Sequence, residues 1–248
     1  MRTIRAAIRF AAFAMATFGL YGIYRVARPF IPNKIYWRQV IFGLWAKSFK
    51  RVSAMRIEII GTPPRPPFFL VSNHLGYADV AALRCAAKGV FVAKGEIISW
   101  PVIGTIIRDM GTIFIDRTNR RDIPRAGELI IDRIDAREGV TIFPEGTNTV
   151  GEKILPFHSS FLQFAAGSGL PVHYATISYH TPDGEPPAAG TVSWGDDKTF
   201  FQHLWGLFRI RAYTATIVFG SEPVTDTDRK RLAAELYARV SETFLPML

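Results

Sequence analysis

The sequence predicts an α/β domain with a mostly parallel sheet flanked by helices, preceded by an amino-terminal amphipathic helical hairpin. Three observations carry that expectation. From residue 68 onward, short apolar β-rich runs alternate with longer helical segments, the pattern of strands joined through helices. Those runs are continuously apolar, which suits strands covered on both faces. The first 51 residues differ from the rest: basic side chains are interleaved with apolar and aromatic ones, and no acidic residue occurs.

The amino-terminal part comes first. Residues 10–24, FAAFAMATFGLYGIY, carry no charge, and with 6–9 they form a stretch broken only by Arg9. That approaches the roughly 20 residues that cross a bilayer. A signal peptide has a similar outline, but residues 21–30 are bulky and basic and offer no clear small-residue cleavage site. After Pro32, Ile35, Trp37, Val40, Ile41, Leu44, Trp45 and Phe49 make a second amphipathic stretch. Residues 1–52 are therefore read as a membrane-associated helical hairpin lying in, or dipping into, one leaflet. A single span and a soluble helical cap are the alternatives. Residues 53–248 form the body.

The formal charge of +9 calls for an anionic partner. Its concentration among apolar residues at the amino terminus suits anionic headgroups and acyl chains. No nucleic-acid motif accompanies it, so nucleic acid is not expected as a partner.

In the body, strands are expected at 68–72, 89–93, 112–116, 140–143, 172–179 and 214–219, and helices at 79–88, 97–108, 122–137 and 159–167. A last helix, 226–244, shows Leu232, Leu236, Val240 and Phe244 at four-residue spacing, with Thr225 or Asp226 as its cap. The single cysteine, Cys85, excludes a disulfide framework and a cysteine-rich zinc site, and it reads as helix packing.

The chemistry-bearing residues cluster at strand ends. Ser72-Asn73-His74-Leu75-Gly76-Tyr77-Ala78-Asp79 begins where the first body strand stops, the edge at which open α/β sheets bind ligands. A loop-then-helix turn can bring the Asp79 carboxylate back to the His74 imidazole, fixing one ring nitrogen as a donor and freeing the other to accept a proton. The blocks Gly111-Thr112-Ile113-Phe114-Ile115-Asp116-Arg117, Phe143-Pro144-Glu145-Gly146-Thr147 and Leu170-Pro171-Val172 add polar groups and turns at other strand ends.

In order and approximate spacing, these motifs resemble the glycerolipid acyltransferase family, typified by 1-acylglycerol-3-phosphate acyltransferase. The resemblance implies a transfer of a fatty acyl group from acyl-CoA or acyl carrier protein to the free hydroxyl of a lysolipid. No other cofactor is implied. The acceptor implied first is 1-acyl-sn-glycerol-3-phosphate, with lyso-ornithine lipid or another lysophospholipid as the alternative. A non-catalytic lipid-binding module is the rival from another class. His74 would be the general base and Asp79 its orienting carboxylate, while Arg117, Glu145, Gly146 and Thr147, with Lys94, would bind the acceptor. The implied location is the cytoplasmic face of the inner or plasma membrane.

Two departures from the family pattern stand out. Asn148 follows Glu-Gly-Thr where many lysophosphatidate enzymes carry arginine, and Tyr174 replaces the second proline of the fourth motif, which keeps only Pro171. Asparagine lacks the charge and bidentate fork of arginine toward phosphate. Trp194-Gly195-Asp196 with His203 resembles a pattern in some bacterial branches, and a structural turn is the default reading. No set of side chains has metal-ligand spacing, and no Gly-x-Ser-x-Gly elbow is present, so neither a metal site nor a serine hydrolase is expected.

Overall fold

In the computed structural model, which describes residues 1–116, 122–195 and 198–247, two helical layers sandwich one sheet. The helices are α1 (Arg2–Ala27), α2 (Lys34–Val52), α3 (Tyr77–Ala86), α4 (Ile103–Asp109), α5 (Asp122–Asp135), α6 (Gln163–Ser168), α7 (Phe200–Arg209) and α8 (Arg229–Glu242). The strands are β1 (Met55–Ile60), β2 (Phe68–Ser72), β3 (Gly89–Lys94), β4 (Ile113–Ile115), β5 (Gly139–Ile142), β6 (Val172–His180) and β7 (Tyr213–Phe219).

The sheet runs β1-β7-β6-β2-β5-β3-β4, and every neighbouring pair is parallel except β6 with β7. Strand alternation divides its core. Leu70 faces a cluster built from Tyr24 of α1, Phe49 of α2, Ala81 of α3 and Leu207 of α7. Phe69 and Val71 face the opposite cluster, with Ile130 of α5, Ala165 of α6 and Leu236 of α8. Both faces are therefore covered, and this is why the strands read as continuous apolar runs.

The structure corrects the sequence reading in four places. β1 was not expected: as an edge strand it leaves Arg56, Glu58, Ile59 and Ile60 exposed, and so lacks a core-strand signature. α7 was also missed, although Thr199 and Gln202 form a capping box at its start. The helix expected at 97–108 is divided into a 3-10 turn, Gly95–Ser99, and α4, because Pro101 has no N–H to continue a helical ladder. The last helix begins at Arg229, capped by Asp228, whose carboxylate accepts from the Lys230 and Arg231 N–H groups; Asp226 instead pairs with Arg231.

The hairpin packs on the body. Asn33 caps α2 by accepting from the Tyr36 N–H at 2.9 Å. Arg9 donates to the Ile210 carbonyl at 2.7 Å, and Tyr21 donates to Asp109 at 2.8 Å, so both ends of α1 are tied down. The opposite face of α1 is apolar and exposed: Ile4, Ile8, Met15, Phe18, Ile23 and Val26 all lie in solvent. A helix apolar on both faces is fully covered only if something apolar lies outside it. The segment Arg2–Phe30 is long and apolar enough to cross a membrane.

Candidate active site

β2 ends at Ser72, and the buried amide of Asn73 then takes over the ladder. Its side chain donates to the Ile177 carbonyl at 2.9 Å and accepts from the Ile177 N–H at 2.8 Å. This pairing lets the main chain leave the sheet without orphaning β6, and it delivers His74 to the carboxyl edge of the parallel strands.

His74 Nδ1 lies 2.7 Å from Asp79 Oδ2. The same oxygen accepts from the Leu75 N–H at 2.7 Å and the Gly76 N–H at 2.9 Å, and Oδ1 accepts from the Tyr179 hydroxyl at 2.7 Å. The fully buried Asp79 carboxyl thus meets two backbone N–H groups and a hydroxyl as donors, and the imidazole completes the set when its Nδ1 donates as well. The carboxyl therefore fixes the proton on Nδ1 and leaves Nε2 of the imidazole as an acceptor. The ring lies flat on Phe143, with centroids 4.0 Å apart and planes at 12°, and the His74 side chain keeps 22% of its surface open. An acceptor nitrogen on a stacked, carboxylate-held and still reachable ring can take a proton from a bound hydroxyl.

The turn after β5 clamps the same histidine by its backbone. Glu145 Oε1 accepts from the His74 N–H at 2.6 Å, and the Thr149 N–H donates to the His74 carbonyl at 3.0 Å. The second Glu145 oxygen accepts from the Leu155 N–H at 2.7 Å. Burial pushes the Glu145 carboxyl up to about 7, against the pull of those two N–H donors. Gly146 sits at φ 80°, a conformation that favours glycine, and closes the turn with its N–H toward the Phe143 carbonyl at 3.2 Å.

A third strand of chain lies over the loop. The Trp194 N–H donates to the Leu75 carbonyl at 2.7 Å, and the Asn148 amide donates to the Trp194 carbonyl. Gly76 sits at φ 150°, a conformation that favours glycine, and a Cβ there would come within 3.1 Å of the Trp194 Cβ, a tight contact. Behind it the Tyr77 hydroxyl and the buried His203 Nδ1 meet at 2.8 Å, and His203 Nε2 lies 2.8 Å from the Ser193 carbonyl.

The structure thus brings together His74, Asp79 and Glu145, with Gly146 and Thr147 in the adjoining turn. Lys94 is exposed at the carboxyl end of β3, on the same edge of the sheet. Arg117 and Asp196 lie outside the described residues. Sequence reasoning assigned no part to Asn73, Phe143 or Tyr179. Asn73 and Phe143 sit inside the motifs and were legible as neighbours, whereas Tyr179 reaches Asp79 across 100 residues and left no local signal.

Residues 56–178 match the family described as Acyltransferase, and the lyso-ornithine lipid O-acyltransferase of Rhodobacter capsulatus is 30% identical over 222 residues, spanning 87% of this chain and 79% of that protein. The chain belongs to the acyltransferase family. A second relative of this acyltransferase, the 1-acyl-sn-glycerol-3-phosphate acyltransferase of Neisseria gonorrhoeae, is 30% identical over 158 residues, 63% of this chain and 61% of that protein. Among solved structures, the 1-acyl-sn-glycerophosphate acyltransferase of Thermotoga maritima superposes with a TM-score of 0.69 at 20% identity, over 98% of this chain and 97% of that one. That likeness establishes the shared fold, including the amino-terminal helices. In the acyltransferase the half-buried Cys85 thiol is pushed up by burial, which suits packing rather than nucleophilic chemistry.

Proposed function

We infer that this acyltransferase moves a fatty acyl group from a thioester donor to the free hydroxyl of a lysolipid at a membrane surface, with His74 as general base. The observation that carries the reading is the 2.7 Å pairing of His74 with an Asp79 held by three further donors. Nε2 takes the proton of the acceptor hydroxyl as its oxygen attacks the thioester carbonyl. Asp79 stabilises the imidazolium, the thiolate departs, and the proton passes from Nε2 to the leaving sulfur. Positioned base catalysis of this kind contributes about 10²–10⁴-fold. Because the nucleophile belongs to the substrate, no acyl-enzyme forms.

The acceptor we favour is a lyso-ornithine lipid. Relatives of that name align over 87% and 85% of this chain, a longer match than the lysophosphatidate relative gives. Asn148 supports the same choice, since its amide is occupied by the Trp194 carbonyl and carries no charge for a phosphate monoester. The second reading, 1-acyl-sn-glycerol-3-phosphate as acceptor, rests on the Neisseria relative, with Arg117 and Lys94 as the cations for its phosphate. Gly146 and Thr147 would border the headgroup, and Glu145 would shape that border through its hold on His74. The donor is acyl-CoA or acyl carrier protein, both acidic partners for a chain of charge +9 working at the cytoplasmic face.

A panel of lysolipids offered with each donor, products identified by mass, tests the reading. Ester formation on lyso-ornithine lipid in preference to lysophosphatidate is expected. Turnover of none of the lysolipids by folded protein, or recovery of an acylated protein when acceptor is withheld, would contradict it.

A further inference from the structure

Between β3 and α4 the chain makes a turn that its own packing does not explain. Val102 sits at φ 62°, ψ −52°, and the Ile103 N–H donates across it to the Pro101 carbonyl at 2.6 Å. This is the positive-φ γ-turn, a rare and strained conformation, here occupied by a β-branched residue. The strain does not serve to bury the side chain, because Val102 is 56% exposed and Ile98 of the preceding 3-10 turn is 45% exposed. Gly104 secures the arrangement: a Cβ there would fall 2.2 Å from the Ile98 carbonyl oxygen.

This turn connects to the hairpin through aromatic rings. Trp100 lies 6.0 Å from Phe200, Phe200 lies 5.3 Å from Phe201, and Phe201 lies 6.4 Å from Phe10 of α1. Phe201, the second residue of α7, is itself 58% exposed. Phe200 also touches Tyr77, at 5.0 Å between centroids, three residues from His74. A chain of aromatic contacts therefore runs from the body-facing side of α1 to Tyr77 beside the active-site loop, with Phe201 exposed at its α1 end.

We propose that Val102, with Ile98 and Phe201, forms a second membrane contact, which enters the same leaflet surface as the exposed face of α1. It rests on the reading of the chain as an enzyme of membrane lysolipids and adds a docking surface outside the hairpin. Its occupant is a bilayer carrying anionic lipid. The patch is joined to α1 through the Phe201–Phe10 ring contact, and the first 51 residues, which include α1, contain basic groups and no acidic one. Docked on both contacts, the protein holds the His74 loop at headgroup level, where a lysolipid need not leave the leaflet completely to reach Nε2.

The test compares the full chain with Val102→Asp/Phe201→Asp and with Val102→Gly, using phosphatidylcholine vesicles doped with phosphatidylglycerol and no substrate. The double variant is expected to partition about tenfold less strongly, since two apolar groups are lost from the interface. Val102→Gly relieves the positive-φ strain, so it keeps or gains thermal stability while binding vesicles less well. With lysolipid presented in vesicles, the double variant raises apparent KM and leaves kcat unchanged; with a short-chain acceptor below its micellar concentration, both constants stay parental. Parental partitioning by both variants would overturn the proposal. So would an equal loss with vesicle and dispersed acceptor, or partitioning unchanged while a self-association seen by sedimentation disappears. Vesicle binding is read without turnover, so a failure of the lysolipid reading would show itself separately, as absence of product from the parent.

Discussion

Two buried carboxylates stand at opposite edges of the sheet, and their partners differ. Asp79, at the carboxyl edge, receives two backbone N–H groups, a tyrosine hydroxyl and one imidazole. Glu138, just before β5 at the amino edge, receives Arg38 and Gln39 of α2, with Arg133 at 3.5 Å. Arg84 of α3 extends that cluster by donating to the Gln39 carbonyl at 2.5 Å, and burial pulls its guanidinium down to about 10. Guanidinium groups hold their protons throughout the working pH range, so the Glu138 cluster is a fixed strut between hairpin and body. An imidazole exchanges its proton near neutrality, so the same burial around Asp79 creates a site where a proton can move. What separates the structural carboxylate from the one proposed for chemistry is the proton affinity of the partner, and not the burial.

The comparison can be broken at either end. The largest effect is expected from Asp79→Asn, which keeps the shape but removes the charge that selects the Nδ1-protonated tautomer. Steady-state kinetics should show kcat lowered about 10³–10⁴-fold with the fold retained. A parental kcat would place Asp79 with Glu138 among the struts. Next, Glu138→Ala leaves the Arg38 guanidinium buried without its counter-charge, at a cost of about 3 kcal/mol. For a chain this size that corresponds to a melting point lower by roughly 6–12 °C in calorimetry, while kcat of the folded fraction stays parental. A loss of turnover without a loss of stability would contradict the division.

Tyr179→Phe sharpens the comparison on a smaller scale. It removes one of the donors to Asp79, and unfolding by denaturant should show a loss of about 1–2 kcal/mol. Turnover should fall by less than the Asp79→Asn change produces. The change at Glu145 is read in the pH dependence of stability, with the smallest effect expected on turnover. Its carboxyl titrates at about 7 in the folded chain against 4.5 ordinarily, so the folded state binds that proton more tightly. The resulting stabilisation is full below about 4.5 and is lost as pH rises toward 7. Unfolding free energies measured across that window should lose part of their downward slope in Glu145→Gln; an unchanged slope would show that another group is responsible.

The legibility of this fold from sequence followed the covering of its elements. β2, β5 and β6 lie in the middle of the sheet, buried on both faces, and their apolar runs announced them to within a residue or so. β1 was lost because Arg56 and Glu58 occupy an edge where water replaces packing. The site was legible where it is local. His74 and Asp79 are five positions apart, and the Glu145 turn carries its own glycine. Its support was not: Tyr179, Trp194 and His203 arrive from distant segments, and only the folded chain shows that they bear on Asp79, Leu75 and Tyr77. Asn148 was noticed as a departure from arginine, but its hold on the Trp194 carbonyl depends on a segment 46 residues away.

The central claim is tested most directly by single-turnover acyl transfer with His74→Ala, donor and lysolipid both saturating, alongside a melting curve. Loss of about 10³-fold in rate at a parental melting temperature is the predicted result. Transfer at the parental rate by that variant would contradict the account.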